Sequence, residues 1–147
     1  MSGLADALTA GDLTVGDLMS KEPIVVWPDT PVSDIAATLD RFGIGGVPVV
    51  DPDGFLVGIV SQLDLVRVRA SDELWTNWTR LSARHVMSQS PLSVTIDTPV
   101  HEAAQLMETH RVHRLVVVAV DGESPIGIVS ATDLVRSIAG RRVVDQS

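Results

Sequence analysis

Residues 127–136, Gly-Ile-Val-Ser-Ala-Thr-Asp-Leu-Val-Arg, have a counterpart at residues 58–67, Gly-Ile-Val-Ser-Gln-Leu-Asp-Leu-Val-Arg. Each stretch begins as a short β-branched run and turns, at Ser130 or Ser61, into a segment of helical character. Outward from it the correspondence continues. Asp121-Gly122 matches Asp53-Gly54, with one residue inserted before the glycine of the next strand. Asp97-Thr98-Pro99-Val100 matches Asp29-Thr30-Pro31-Val32 without a substitution, Pro91 matches Pro23, and Met87-Ser88 matches Met19-Ser20. A chain of 147 residues that repeats itself in order and spacing is built from two copies of one supersecondary unit.

Both copies predict the same elements. Residues 24–26 and 92–94 read as short strands. Thr30-Pro31 and Thr98-Pro99 read as an N-cap followed by proline in the first helical turn, opening helices at 31–41 and 99–109. Their apolar faces carry Val32, Ile35, Ala36 and Leu39 in one copy and Val100, Ala103, Ala104 and Met107 in the other. Strands follow at 47–50 and 115–120 and, beyond an Asp-Gly turn, at 57–60 and 126–129. A last helix starts at Ser61 or Ser130. The unit is β-α-β-β-α, of α/β class. The expected organisation is an N-terminal extension at 1–13, repeats at 14–69 and 82–140, a helical linker at 70–81 and a C-terminal tail at 141–147. In the linker, Leu74 and Trp78 fall on one helical face. That face packs on the repeats, or Trp75 and Trp78 together dock a partner, since tryptophan is enriched among interface anchors.

Composition narrows the function classes. The chain holds no cysteine, which excludes disulfides, thiolate metal sites and cysteine nucleophiles. Its net charge of −8 argues against free-standing nucleic-acid binding, which depends on Lys and Arg meeting phosphates. Residues 1–10 lack a basic stretch followed by an apolar one, and the longest apolar run, 115–120, is far below the ~20 residues a membrane span needs. A cytoplasmic protein without membrane contact is expected. No nucleophile elbow or phosphate-binding Gly-rich loop occurs, and His85, His101, His110 and His113 do not make a helical metal pair, so neither an enzyme nor a metal site is expected.

The repeated Gly-Ile-Val-Ser-x-x-Asp segments and Asp-x-Thr-Pro-Val helix starts resemble CBS domains, in a tandem pair known as a Bateman module. The resemblance implies two repeats packed through their sheets as a pseudo-two-fold pair, with clefts that hold adenosine-containing ligands. It also implies a homodimer in which four repeats form a flat disc. The stretch Val112-His113-Arg114-Leu115-Val116-Val117-Val118 is similar to the phosphate-contacting part of the adenylate-binding repeats in the regulatory γ subunit of AMP-activated protein kinase. By that resemblance Asp133 holds the ribose, Ser130 and Thr132 lie towards ribose and phosphate, and Leu92, Ser93, Val94, Val112 and Ile128 form the purine slot.

The residues themselves support two readings. A carboxylate at a helix start can accept bonds from vicinal ribose hydroxyls, and the helix N-terminus offers amides to phosphate. Ser130 with Asp133 also fits a capping box. His110-Arg111-Val112-His113-Arg114 is the densest positive cluster of an acidic chain, and Arg114 can grip a phosphate bidentately with His113 as a further donor. In the first copy Gly45-Gly46 replaces His113-Arg114 and Leu63 replaces Thr132, while Ser61 and Asp64 are kept. That second cleft (Asp64, Ser61, Gly45, Gly46) is empty, nucleoside-binding or structural, and the glycine pair either offers amides to phosphate or makes a tight turn. The expected function is a stand-alone regulatory module that binds AMP, ADP or ATP, ahead of S-adenosylmethionine, and signals to an unidentified effector protein. The alternative is a ligand-free interaction and dimerisation scaffold with vestigial clefts.

Overall fold

The structure, a computed structural model, describes residues 13–21, 23–89, 91–120 and 123–140. Of the expected extension at 1–13 only Leu13 is among them, and the tail at 141–147 and the Asp121-Gly122 turn lie outside the described residues. In chain order the elements are α1 (Val15–Leu18), β1 (Ser20–Lys21), α2 (Val32–Phe42), β2 (Gly46–Val50), β3 (Leu56–Ser61), α3 (Gln62–Ala70), α4 (Asp72–Thr76), a 3-10 turn (Trp78–Arg80), α5 (Ala83–Val86), β4 (Ser88–Gln89), β5 (Ser93–Val94), α6 (Val100–His110), β6 (Arg114–Val118), β7 (Pro125–Ser130) and α7 (Ala131–Ile138).

These elements form two compact units that cut across the sequence repeats. One unit spans residues 23–91. The other joins residues 92–140 to residues 13–21, at the start of the first copy. In the unit of 23–91, β2, β3 and β4 make an antiparallel sheet in that order, with Val26 bridging to Val49 in parallel at its edge. The β-branched, alternating pattern of β2 and β3 sends Val47, Val49 and Val60 to one face, where Ile35 and Leu39 of α2 cover them. In the other unit the strand order is β1-β7-β6-β5, antiparallel except for β5 with β6. Its core gathers Val15 and Leu18 of α1 with Val94, Ala103, Met107, Leu115, Val117, Val129 and Leu134.

The exchanged segments do the same job in both units. Leu13 O accepts the Val100 amide at 3.1 Å, and Val15 N and Gly16 N donate to Thr98 O and Ile96 O at 2.8 and 2.9 Å. At the equivalent positions Leu81 O accepts the Val32 amide, and Ala83 N and Arg84 N donate to Thr30 O and Pro28 O. Each helix that follows a Thr-Pro is thus capped by a carbonyl far away in sequence. This corrects the expected N-caps: α2 and α6 start at Val32 and Val100 with Pro31 and Pro99 ahead of them. The Thr30 and Thr98 hydroxyls instead accept the amides of Trp27 and Thr95, closing the preceding turns.

Two further expectations change. The strand at 24–26 reduces to the single Val26–Val49 bridge, and that at 92–94 to Ser93–Val94. The linker is not one helix, because α4 ends at Thr76, capped by Asn77, and a 3-10 turn begins at Trp78. Trp78 stacks on Trp75, with ring centroids 5.2 Å apart, and the Arg69 guanidinium lies 4.5 Å from the Trp75 centroid. Lastly, α2 ends on Gly43 at φ 62°, whereas α6 ends on Arg111 at φ 55°, a left-handed conformation that costs a non-glycine residue ~1–2 kcal/mol.

Candidate functional site

In the unit that carries β6 and β7, register settles which side chains share a face. Arg114 lies directly opposite Ser130, and Leu115 opposite Val129. Leu115, Val117 and Val129 point into the apolar core. The residues between them, Arg114, Val116, Ile128 and Ser130, therefore occupy the other face of the sheet. Pairing across the strands extends that face into one row: Ser20 opposite Ile128, Ile128 opposite Val116, and Val116 beside Ser93. Arg114 and Ser130 stand two residues along from this row, or about 7 Å at the usual strand rise.

The start of α7 is fixed by a reciprocal cap. Ser130 Oγ accepts the Asp133 amide at 3.2 Å, while Asp133 Oδ2 accepts the Ser130 amide at 2.8 Å and the Ser130 hydroxyl at 3.0 Å. The Ala131 amide donates to His113 O at 2.7 Å, which ties the basic segment to this helix start. Thr132 is exposed at the first turn, His113 is exposed and Arg114 half-buried. Asp133 keeps Oδ1 outside the cap, with Arg136 Nη1 at 3.9 Å. Chemically this places a guanidinium, an exposed hydroxyl, a carboxylate oxygen and a helix N-terminus at one end of one unit, beside an apolar row ended by serines. Among the described residues no group of acids and histidines is arranged to hold a metal ion.

The sequence-derived site residues divide. Arg114, His113, Ser130, Thr132 and Asp133 come together at the α7 start, with Ile128 and Ser93 on the same sheet face as Arg114. Val94 lies in the core, and Leu92 and Val112 pack against that core, on the far side of the sheet from Ile128. The Ser130 hydroxyl proton is directed at Asp133. Sequence reasoning passed over Ser20, whose place in the row is set by a strand pairing between residues more than a hundred positions apart. Its one sequence signal is the Met-Ser pair near the start of both copies.

The equivalent place in the other unit keeps the cap and loses the charge. Asp64 Oδ2 accepts the Ser61 amide at 2.7 Å and hydroxyl at 3.0 Å, and Gln62 N donates to Gly45 O at 3.0 Å. Gly46 begins β2 opposite Ser61. The left-handed residue of the preceding turn is Gly43, so neither Gly45 nor Gly46 supplies it.

The sequence profile of the CBS domain matches residues 15–71 and again 83–140. The chain belongs to the CBS-domain family. Its two repeats are similar to those of the chloroplastic CBS domain-containing protein CBSX2 of Arabidopsis thaliana, 31% identical over an alignment covering 86% of this chain and 64% of that protein. They also resemble part of L-aspartate semialdehyde sulfurtransferase of Methanocaldococcus jannaschii, 27% identical over 87% of this chain but 24% of the enzyme. The chain thus spans less than two thirds of the first relative and about a quarter of the second. Among solved structures, CBSX2 in complex with AMP superposes with a TM-score of 0.74 at 34% identity, covering 87% of this chain and 97% of that one. The CBS domain pair of protein MJ0100, in complex with 5′-methylthioadenosine and S-adenosyl-L-methionine, superposes with a TM-score of 0.78 at 26% identity, covering 88% and 98%. Adenosine derivatives are common to both neighbours. Among the described residues no helix is long and apolar enough to cross a membrane.

Proposed function

We propose that this CBS pair is a regulatory module that binds an adenosine nucleotide of the AMP, ADP or ATP class at its second repeat and leaves it chemically unchanged. The observation that carries this is the placement of Arg114 directly across from Ser130, with His113 tied by its carbonyl to the first amide of α7. In this reading Arg114 holds a phosphate bidentately, His113 and Thr132 add donors, and the helix N-terminus adds its field. Asp133 Oδ1 accepts the ribose hydroxyls, and the cap with Ser130 holds that carboxylate in place. The base lies along Ile128 towards Ser93 and Ser20. S-adenosylmethionine ranks behind the nucleotides, because its sulfonium cation gains nothing from Arg114.

Binding would bias one of two conformations or oligomeric states, and a coupling of about 1–3 kcal/mol is enough to regulate a partner. A homodimer of four repeats, a separate effector protein in the cytoplasm and the absence of nucleic-acid binding complete the proposal.

A second reading has its own support. The capping boxes account for Ser130, Asp133, Ser61 and Asp64 without any ligand, as an interaction scaffold requires. Calorimetric titration with AMP, ADP, ATP, S-adenosylmethionine and adenosine separates the two. Saturable binding of a phosphorylated adenosine supports the sensor. Silence across the panel by folded, ligand-free protein leaves the scaffold.

A further inference from the structure

Asp64 and Asp133 hold the same place in their repeats, yet their outer oxygens differ. The Asp64 side chain is 6% exposed, and while Ser61 engages Oδ2, Arg67 Nη1 donates to Oδ1 at 3.3 Å. The Asp133 side chain is 16% exposed, and Arg136 Nη1 stands 3.9 Å from Oδ1, beyond hydrogen-bond range. Among the described residues Oδ1 of Asp133 accepts no hydrogen bond, whereas both oxygens of Asp64 are committed.

We propose that Arg67 holds Asp64 closed to ligand, so that the chain binds one nucleoside, at Asp133, and not two. The proposal rests on the nucleotide reading above. A vicinal diol must take its acceptor from the carboxylate, and a guanidinium bond to that oxygen joins two opposite charges where a ribose hydroxyl brings only a neutral donor. Arg67 sits three residues from Asp64 on the same helix, so no association entropy is lost in keeping it there. No compensating attraction awaits a nucleotide in this repeat, since Gly46 and Leu63 stand where Arg114 and Thr132 stand in the other. The rest of the place is kept: Ser88 opposite Ile59, and Ile59 opposite Pro48, repeat the row of Ser20, Ile128 and Val116. Removing Arg67 is therefore sufficient to open it.

The test uses adenosine, which needs no phosphate contact, and reads stoichiometry by calorimetry on the full chain. Wild type is expected to take one equivalent, lost in Asp133→Ala and kept in Asp64→Asn. Arg67→Ala is expected to take two, and the Arg67→Ala, Asp64→Asn double variant one. Arg67 is an exposed side chain whose removal leaves the cap intact, and a thermal melt confirms the fold of each variant. Two equivalents in wild type, or one in Arg67→Ala, overturn the proposal while the nucleotide reading stands. No binding of adenosine or AMP by wild type overturns both.

Discussion

The Leu13 carbonyl accepts the Val100 amide at 3.1 Å, capping a helix of the second repeat from a position ahead of the first. The Leu81–Val32 bond is its counterpart, so each unit is completed by the segment at the start of the other repeat. A helix start needs partners for its orphan amides. Here the exchange supplies one where a local side chain would otherwise serve.

Residues 13–21 therefore stabilise the unit of residues 92–140. Leu18→Ala, at a core position of that unit, is expected to cost about 2–5 kcal/mol. Amide exchange should show protection lost first in β6 and β7, with β2 and β3 less affected. Equal loss in both sheets, or loss confined to β2 and β3, would contradict the assignment of the segment.

Gly127 leaves no room for a side chain. A Cβ there would stand 2.6 Å from Ser20 O and 2.7 Å from Met19 Sδ, and the first of these is backbone that cannot swing aside. Gly127→Ala is expected to destabilise by about 1–3 kcal/mol through overpacking and to detach β1 from β7. Urea unfolding measures the first effect. If Ser20 touches the base, AMP affinity falls with the second.

Arg111 takes the left-handed conformation that Gly43 takes in the first copy. Arg111→Gly is expected to be neutral to stabilising, by up to about 1 kcal/mol, because relief of the backbone cost exceeds the added entropy of the unfolded chain. Gly43→Ala should destabilise by about 1 kcal/mol on the same scale. A shift of the two urea midpoints in the same direction would refute this.

Arg114→Ala should weaken AMP by roughly tenfold to a hundredfold, the loss of a hydrogen bond to a charged group at ~1.5–3 kcal/mol, and adenosine far less. Asp133→Ala should weaken both, because the ribose is common to them. Calorimetric constants for the four combinations decide it, and equal losses for AMP and adenosine in Arg114→Ala would refute the phosphate assignment.

Much of this was legible in the chain itself. The repeat, the α/β class, the two Asp-Leu-Val-Arg helix starts and their serine caps follow from local pattern, because caps and strand alternation are interactions between near neighbours in sequence. The basic segment at Arg114 and the acid at Asp133 could be singled out for the same reason. Their meeting could not, since it depends on the register of β6 against β7. Register also divided the expected purine slot, sending Val94 to the core and Ile128 to the opposite face, a choice that one residue of slippage would reverse.

What tertiary structure alone decided is the partnership of segments. Local sequence offered Thr30 and Thr98 as caps, and both hydroxyls were taken by the turns before them. The helix amides went to Leu81 and Leu13, and Ser20 was brought beside Ile128, because a backbone carbonyl or strand edge carries no side-chain code for a partner distant in the chain. The composition of each copy determined what it could form. Which pieces complete each unit was determined by where unsatisfied amides and apolar faces found one another in space.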